Sequence, residues 1–215
     1  MIMSELKTWH NQTIAAKVVE ALQKNHFTAS YVNTKQEALD KLATLIPIDA
    51  TVGIGGSWTI KEVGIDTLLE ERGNTVFNHN KPGLSPEESL AVRRKELTSD
   101  VFLTGTNALT LKGELVNVDG AGNRVAAMIF GPKKVIVITG VNKIVTNLEA
   151  AMDRIELVAA PINNKRLNRP NPCTVTGECM DCQGPTRICN VTTVMHKKPS
   201  ATDVEIIIIG EELGF

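Results

Sequence analysis

The chain's four cysteines all fall within residues 171–190, "NPCTVTGECMDCQGPTRICN". Cys173, Cys179, Cys182 and Cys189 follow the pattern C-x5-C-x2-C-x6-C. Thiolates this close in sequence can converge on one tetrahedral centre. The Cys179/Cys182 pair has the tight spacing that zinc and iron–sulfur sites share. Gly177 and Gly184 permit the sharp turns such wrapping needs, and Pro172 and Pro185 suit a rigid loop. The spacing matches neither standard ferredoxin pattern, so it predicts a metal site with four cysteine ligands and leaves iron–sulfur cluster or zinc open. A closed tetrathiolate zinc would staple the loop, whereas a cluster would suit electron transfer. Paired disulfides and free thiols are the competing readings. The start, "MIMSELKTWHNQT", has no apolar run of the secretory type, which predicts a cytoplasmic, reducing setting where disulfides are uncommon.

A second chemical stretch is "TVGIGGSWTIKEVG", residues 51–64, a glycine turn between a strand pattern and a helix pattern. Gly53, Gly55 and Gly56 let a ligand approach the backbone, and free N–H groups at the helix start favour an anion. Ser57 and Thr59 supply hydroxyl groups and Lys61 a charge, while Trp58 serves as pocket wall or core anchor. The run has neither the G-x-G-x-x-G of a dinucleotide fold nor the G-K-[ST] ending of a P-loop.

The third stretch, "TGTNALTLKGELVNVDGAGNRVAA", residues 104–127, packs Asn107, Glu114, Asn117, Asp119, Asn123 and Arg124 between apolar strands. Glu114 or Asp119 in a cleft would be a general base and Arg124 an anion clamp. Asp119-Gly120 and Gly122-Asn123 are equally ordinary turn chemistry. His10, His26, His79 and His196 are dispersed and read as surface or helix-end residues.

The elements that must position these residues alternate. Ile14, Val18, Ala21 and Leu22 mark an amphipathic helix, and "FTASYV" a strand. Thr34 with Glu37 marks a helix start, as do Ser85, Pro86 and Glu88. Strands follow at 50–52, "DVFLTG", either side of Lys112-Gly113, "GPKKVIVITG" and 204–209. Short helices fall near 59–63, 66–72, 124–129 and 146–155, and the Pro/Asn-rich run 161–172 reads as a loop. Alternating strands and helices predict an α/β fold, a single domain over 1–215 whose central, mostly parallel sheet is covered by helices. A net charge of −1 gives no pull toward nucleic acid or membrane, and "VEIIIIG" is too short to cross a bilayer.

"GIGGSWT" and "TGTNALTLKGELVNVDGAGNRVAAMIFGPKKVIVITGVNKIV" together resemble the lactate-utilisation (LUD) family, and in particular its small single-domain proteins related to lactate utilisation protein C. The resemblance implies the architecture of ribose-5-phosphate isomerase, glucosamine-6-phosphate deaminase and CoA transferases. It gives Gly53, Gly55, Gly56, Ser57 and Thr59 an anion-holding role, and Asn107, Glu114, Asp119, Asn123 and Arg124 match the family signature. It also implies a component of organic-acid redox metabolism, binding a small anionic ligand and acting beside iron–sulfur redox proteins. The alternatives are a phosphate- or CoA-ester-handling isomerase- or transferase-like enzyme and a non-catalytic binding or regulatory protein. The cysteine loop is an addition to the simple lactate utilisation protein C pattern.

Overall fold

The structure is a computed structural model that describes residues 2–215. Among the described residues ten strands form two sheets: β1 (Thr28–Val32), β2 (Thr51–Ile54), β3 (Thr75–Asn78), β4 (Val101–Thr104), β5 (Ala108–Thr110), β6 (Leu115–Asp119), β7 (Lys134–Gly140), β8 (Ile144–Val145), β9 (Val191–Met195) and β10 (Asp203–Ile209). The larger sheet has the order β1-β10-β7-β4-β2-β3 with every pairing parallel.

Its all-apolar strands follow from burial on both faces. Ile136 and Ile138 of β7, with Ile207 and Ile209 of β10, pack against Leu42, Ile60 and Leu69 from the helices on one side. Their neighbours Val135, Val137, Ile206 and Ile208 pack against Ala15, Val18 and Leu22 of the helix Met3–Lys24, and against Leu109, Leu115 and Met195 of the smaller sheet. That second sheet, β8-β5-β6-β9, is antiparallel except at β5–β8. The helix Leu148–Arg154 covers its far face through Ala151.

Local signals set the helix starts. The Thr34 side chain accepts from the Glu37 N–H at 3.2 Å. Ser85 and Glu88 cap each other, with bonds of 3.2 and 2.8 Å. The loop expected over 161–172 is corrected for half its length: Ala160–Arg166 is helical. The helix Leu148–Arg154 widens into a π turn, Ile155–Ala159, and continues into that segment. Pro161 has no N–H to give, and the widened turn just before it takes up the mismatch that would end an ordinary helix. β3 and β9 are short, half-exposed strands that alternation alone did not signal.

The turn between β5 and β6 is where the smaller sheet meets the first helix. Gly113 has φ +75°, and a Cβ there would stand 2.7 Å from Leu22 N and 2.8 Å from the Ala21 carbonyl carbon. Asn25 Nδ2 donates to the Lys112 carbonyl at 2.8 Å and fixes the same contact. Gly113→Ala is expected to cost about 2–4 kcal/mol, combining left-handed strain with a backbone clash. Urea denaturation of wild type and variant measures it; a change below about 0.5 kcal/mol would show that the turn is free to move.

Candidate anion cleft and cysteine loop

A cleft of about 360 Å³ opens beyond the carboxyl ends of the parallel strands. After β2 the chain turns outward to β3, and after β4 it turns the other way to β7, so the crevice between β2 and β4 is the sheet's topological switch point. Ligands of open parallel sheets bind at such places, because the strand-end loops part there. Gly56 and Ser57 enter the cleft from β2, His79 and Asn80 from β3, Thr104–Asn107 from β4, and Lys143 from beyond β7.

The glycine turn divides by role. A Cβ on Gly53 would lie 2.8 Å from Ser99 Oγ, and one on Gly55 would lie 3.2 Å from the Phe102 ring. Neither residue lines the cleft, and both are required by packing. Gly56 is the glycine that faces it, with 3.5 Å of clearance to Asn80. Ser57 caps the short helix Trp58–Val63 by accepting from Ile60 N at 3.5 Å. Trp58 is a cleft wall, and Lys61 stacks over its ring at 5.0 Å. Thr59 is fully buried and donates to the Leu213 carbonyl at 3.3 Å.

Arg124 lines the cleft, yet its guanidinium is largely committed to the protein. Nε donates to Asp119 Oδ1 at 2.7 Å, Nη1 to Asn117 Oδ1 at 2.9 Å, and Nη2 to Asn107 Oδ1 at 3.0 Å and the Val118 carbonyl at 2.9 Å. Asp119 Oδ2 accepts from Val125 N at 3.0 Å. Asp119, Asn107 and Arg124 therefore form one knot that shapes the cleft floor, with Asn123 beside it on the lining. Glu114 is elsewhere: its Oε1 lies 2.8 Å from His196 Nδ1 and its Oε2 accepts from Thr110 at 3.0 Å, outside the cleft lining.

Residues that sequence reading left aside supply the cleft's charge. Arg93, Lys143, Arg166 and Arg169 all line it, and none has a carboxylate partner among the described residues. Arg187 also lines it, held by Asp181 at 2.6 Å. The Lys143 Nζ donates to Thr59 Oγ1 at 3.0 Å. Burial first, then the charges of Arg154 and Arg124, pull the Lys143 amine down to about 7. His79 Nδ1 lies 2.7 Å from Glu96 Oε1, and Glu96 also accepts the His79 backbone N–H at 3.1 Å. Since the carboxylate accepts, Nε2 is the nitrogen left toward Gly56 and the cleft. One signal for Lys143 was legible: a lysine set between "VIVITG" and "IV", at the end of a buried parallel strand.

The cysteine loop borders this cleft. Cys173, Cys179, Cys182 and Cys189 line one small cavity of about 10 Å³, together with Ala160, Met180 and Ile188. All four thiols are free. Among the described residues no three His, Cys, Asp or Glu side chains are gathered as a set that would hold one metal ion. Arg187 and Ile188 line both cavities, so the loop is also a wall of the cleft. No helix among the described residues is long and apolar enough to cross a membrane.

A family model described as "LUD domain" matches residues 15–209. Comparison with curated proteins found no match. Among solved structures, the chain is similar to one described as the crystal structure of a DUF162 family protein from Deinococcus radiodurans. The TM-score is 0.54 with 16% sequence identity, covering 93% of this chain and 98% of that one, a likeness that establishes the fold.

Proposed function

The chain belongs to the LUD domain family, and on that footing we propose that it binds a small organic ligand carrying two or more negative charges, as a component of organic-acid metabolism of the lactate type. One observation carries the reading: Arg93, Lys143, Arg166 and Arg169 converge on the switch-point cleft without carboxylate partners. A lone carboxylate needs one arginine fork, so a surplus of unpaired cations suits a ligand with several anionic oxygens. Among the described residues Asp119 is the one acidic side chain on the lining, and Arg124 neutralises it. The Gly56–Ser57 turn gives the ligand close approach. The helix behind that turn is short and already capped by Ser57, so side chains rather than a helix end supply the attraction.

A second reading, a proton-transferring isomerase- or transferase-like enzyme, is favoured by the His79–Glu96 pair. Glu96 is almost fully buried and fixes the ring, the arrangement a general acid–base needs. Solvent deuterium appearing in the recovered ligand, and its loss in His79→Gln, would support that chemistry. Ligand recovered without deuterium would reduce the protein to a binder.

Thermal shift with lactate, dicarboxylates, sugar phosphates and acyl-CoA compounds tests the main reading, because a ligand bound only to the native state raises Tm. Multiply charged ligands should shift Tm and lactate should not. A response to lactate alone would overturn the multi-anion assignment.

The low Lys143 value adds a pH signature. In the unfolded chain a lysine titrates near 10.5, so between about 7 and 10.5 the unfolded state holds a proton that the folded state lacks. Stability without ligand therefore rises with pH across that window. Anion affinity runs the other way, since the amine loses its charge as pH climbs past about 7. Calorimetry at about pH 6 and about pH 8.5 should show tighter binding at the lower value; equal affinities would remove Lys143 from the site.

A further inference from the structure

We propose that Cys173, Cys179, Cys182 and Cys189 hold an iron–sulfur cluster, and that the cluster-bearing loop is a working wall of the anion cleft. The second half rests on the cleft reading above; the first half does not. The four free thiols come together around one cavity whose other lining is mostly apolar. The loop is held there by the protein itself. Cys179 N donates to the Glu156 carbonyl at 2.9 Å. Arg187 ties the loop's two halves, Nη1 donating to the Cys182 carbonyl at 2.7 Å and Nε to the Cys189 carbonyl at 3.0 Å. Asn171, buried, donates to Asn164 Oδ1 at 2.6 Å and to the Thr186 carbonyl at 2.9 Å. Four thiols brought together by contacts of this kind make a preformed ligand set.

The way the thiols are gathered bears on the occupant. A tetrathiolate zinc holds every sulfur about 2.3 Å from one ion. Among the described residues the cysteines are not gathered as single-ion ligands. In a cluster the thiolates bind different irons and stand farther apart around a shared core. That arrangement fits thiols that line one cavity without converging on a single ion, and the absence of histidine from its lining fits thiolate ligation.

The position of the site gives it a use. Arg187 and Ile188 line both the cysteine cavity and the anion cleft. Cluster loading would fix Arg187 and Ile188, and a bound anion would change the electrostatic surroundings of the cluster through the same guanidinium.

The test uses the full chain, purified without oxygen or reconstituted with ferrous iron and sulfide. Iron, acid-labile sulfide and zinc are then measured, with a visible spectrum. Stoichiometric iron with matching sulfide and brown absorbance is expected, and Cys182→Ser should lose both while far-UV circular dichroism is unchanged. Zinc without sulfide, or no metal after reconstitution of wild type, would overturn the cluster whatever the variant does. Pyrophosphate is then titrated into loaded protein, followed by calorimetry and by the reduced cluster's electron paramagnetic resonance. A shifted signal on binding is expected. Binding with an unaltered signal would overturn the shared wall. No binding of pyrophosphate would strike the cleft reading alone, with the iron and sulfide content still deciding the cluster.

Discussion

Arg124→Met is expected to destabilise the protein by about 3 kcal/mol, the lower end of the cost of leaving a largely buried partner without its counter-charge. Asp119 would lose a two-point contact with the guanidinium. Asn117 Oδ1 and Asn107 Oδ1 would each lose a donor, while the Asn117 amide nitrogen already lacks a partner. Arg124→Lys should recover little, since an ammonium cannot reach a carboxylate, two amides and a carbonyl from one plane. Guanidinium denaturation and amide exchange over β6 check this, and a loss below about 1 kcal/mol would show the knot to be dispensable. The expected result also separates two roles that the residue type alone leaves merged. An anion clamp would lower ligand affinity with stability unchanged, whereas Arg124 should lower stability first.

Lys143→Met should do the reverse. Its amine is buried, has one hydroxyl partner, and faces the like charges of Arg154 and Arg124. Replacing it with an apolar chain of similar length should raise stability by about 1–2 kcal/mol, because a poorly compensated buried charge is removed. Affinity for a multiply charged anion should meanwhile fall about a hundredfold, the order expected for losing one desolvated charged contact. The pH dependence of binding near neutrality should disappear with it. A raised Tm with undiminished affinity would make Lys143 a structural oddity. A lowered Tm would mean that its link to Thr59 matters more than its charge.

The fold was legible where one residue type has one physical use. The isoleucine run of β10 and the "VIVITG" of β7 admit only strands buried on both faces, and Ser85-Pro86 with Glu88 admits little but a helix start. The split of the sheet was not legible. Alternation in β5 and β6 looks alike whether a strand joins the parallel sheet or packs across it, and the pairing is set by contacts distant in sequence. The 161–172 run reads as a loop because proline and asparagine have low helix propensity, while the helix before it supplies the geometry that tolerates them.

The site was half legible for a related reason. Glycine turns and clustered cysteines are compact in sequence, so they stand out as candidates before folding. The cleft's cations come from three separated segments, and Arg93, Arg166 and Arg169 each look like solvated surface until the strand ends bring them together with Lys143. His79 read as an exposed histidine because Glu96, its partner, is on the following helix.

The π turn Ile155–Ala159 carries a consequence for how this loop came to be where it is. Such a turn is a helix with one residue too many, and here it lets the Glu156 carbonyl meet Cys179 N. Removing one residue from the turn would rewind the helix by about 100° per residue, carrying Asn164 away from Asn171 and the Glu156 carbonyl away from the loop. The cysteine segment is thus not a cassette that can be moved alone. A relative with an unbroken helix at this place would need the extra residue before it could inherit the cysteines, so insertion and ligands should be gained and lost together.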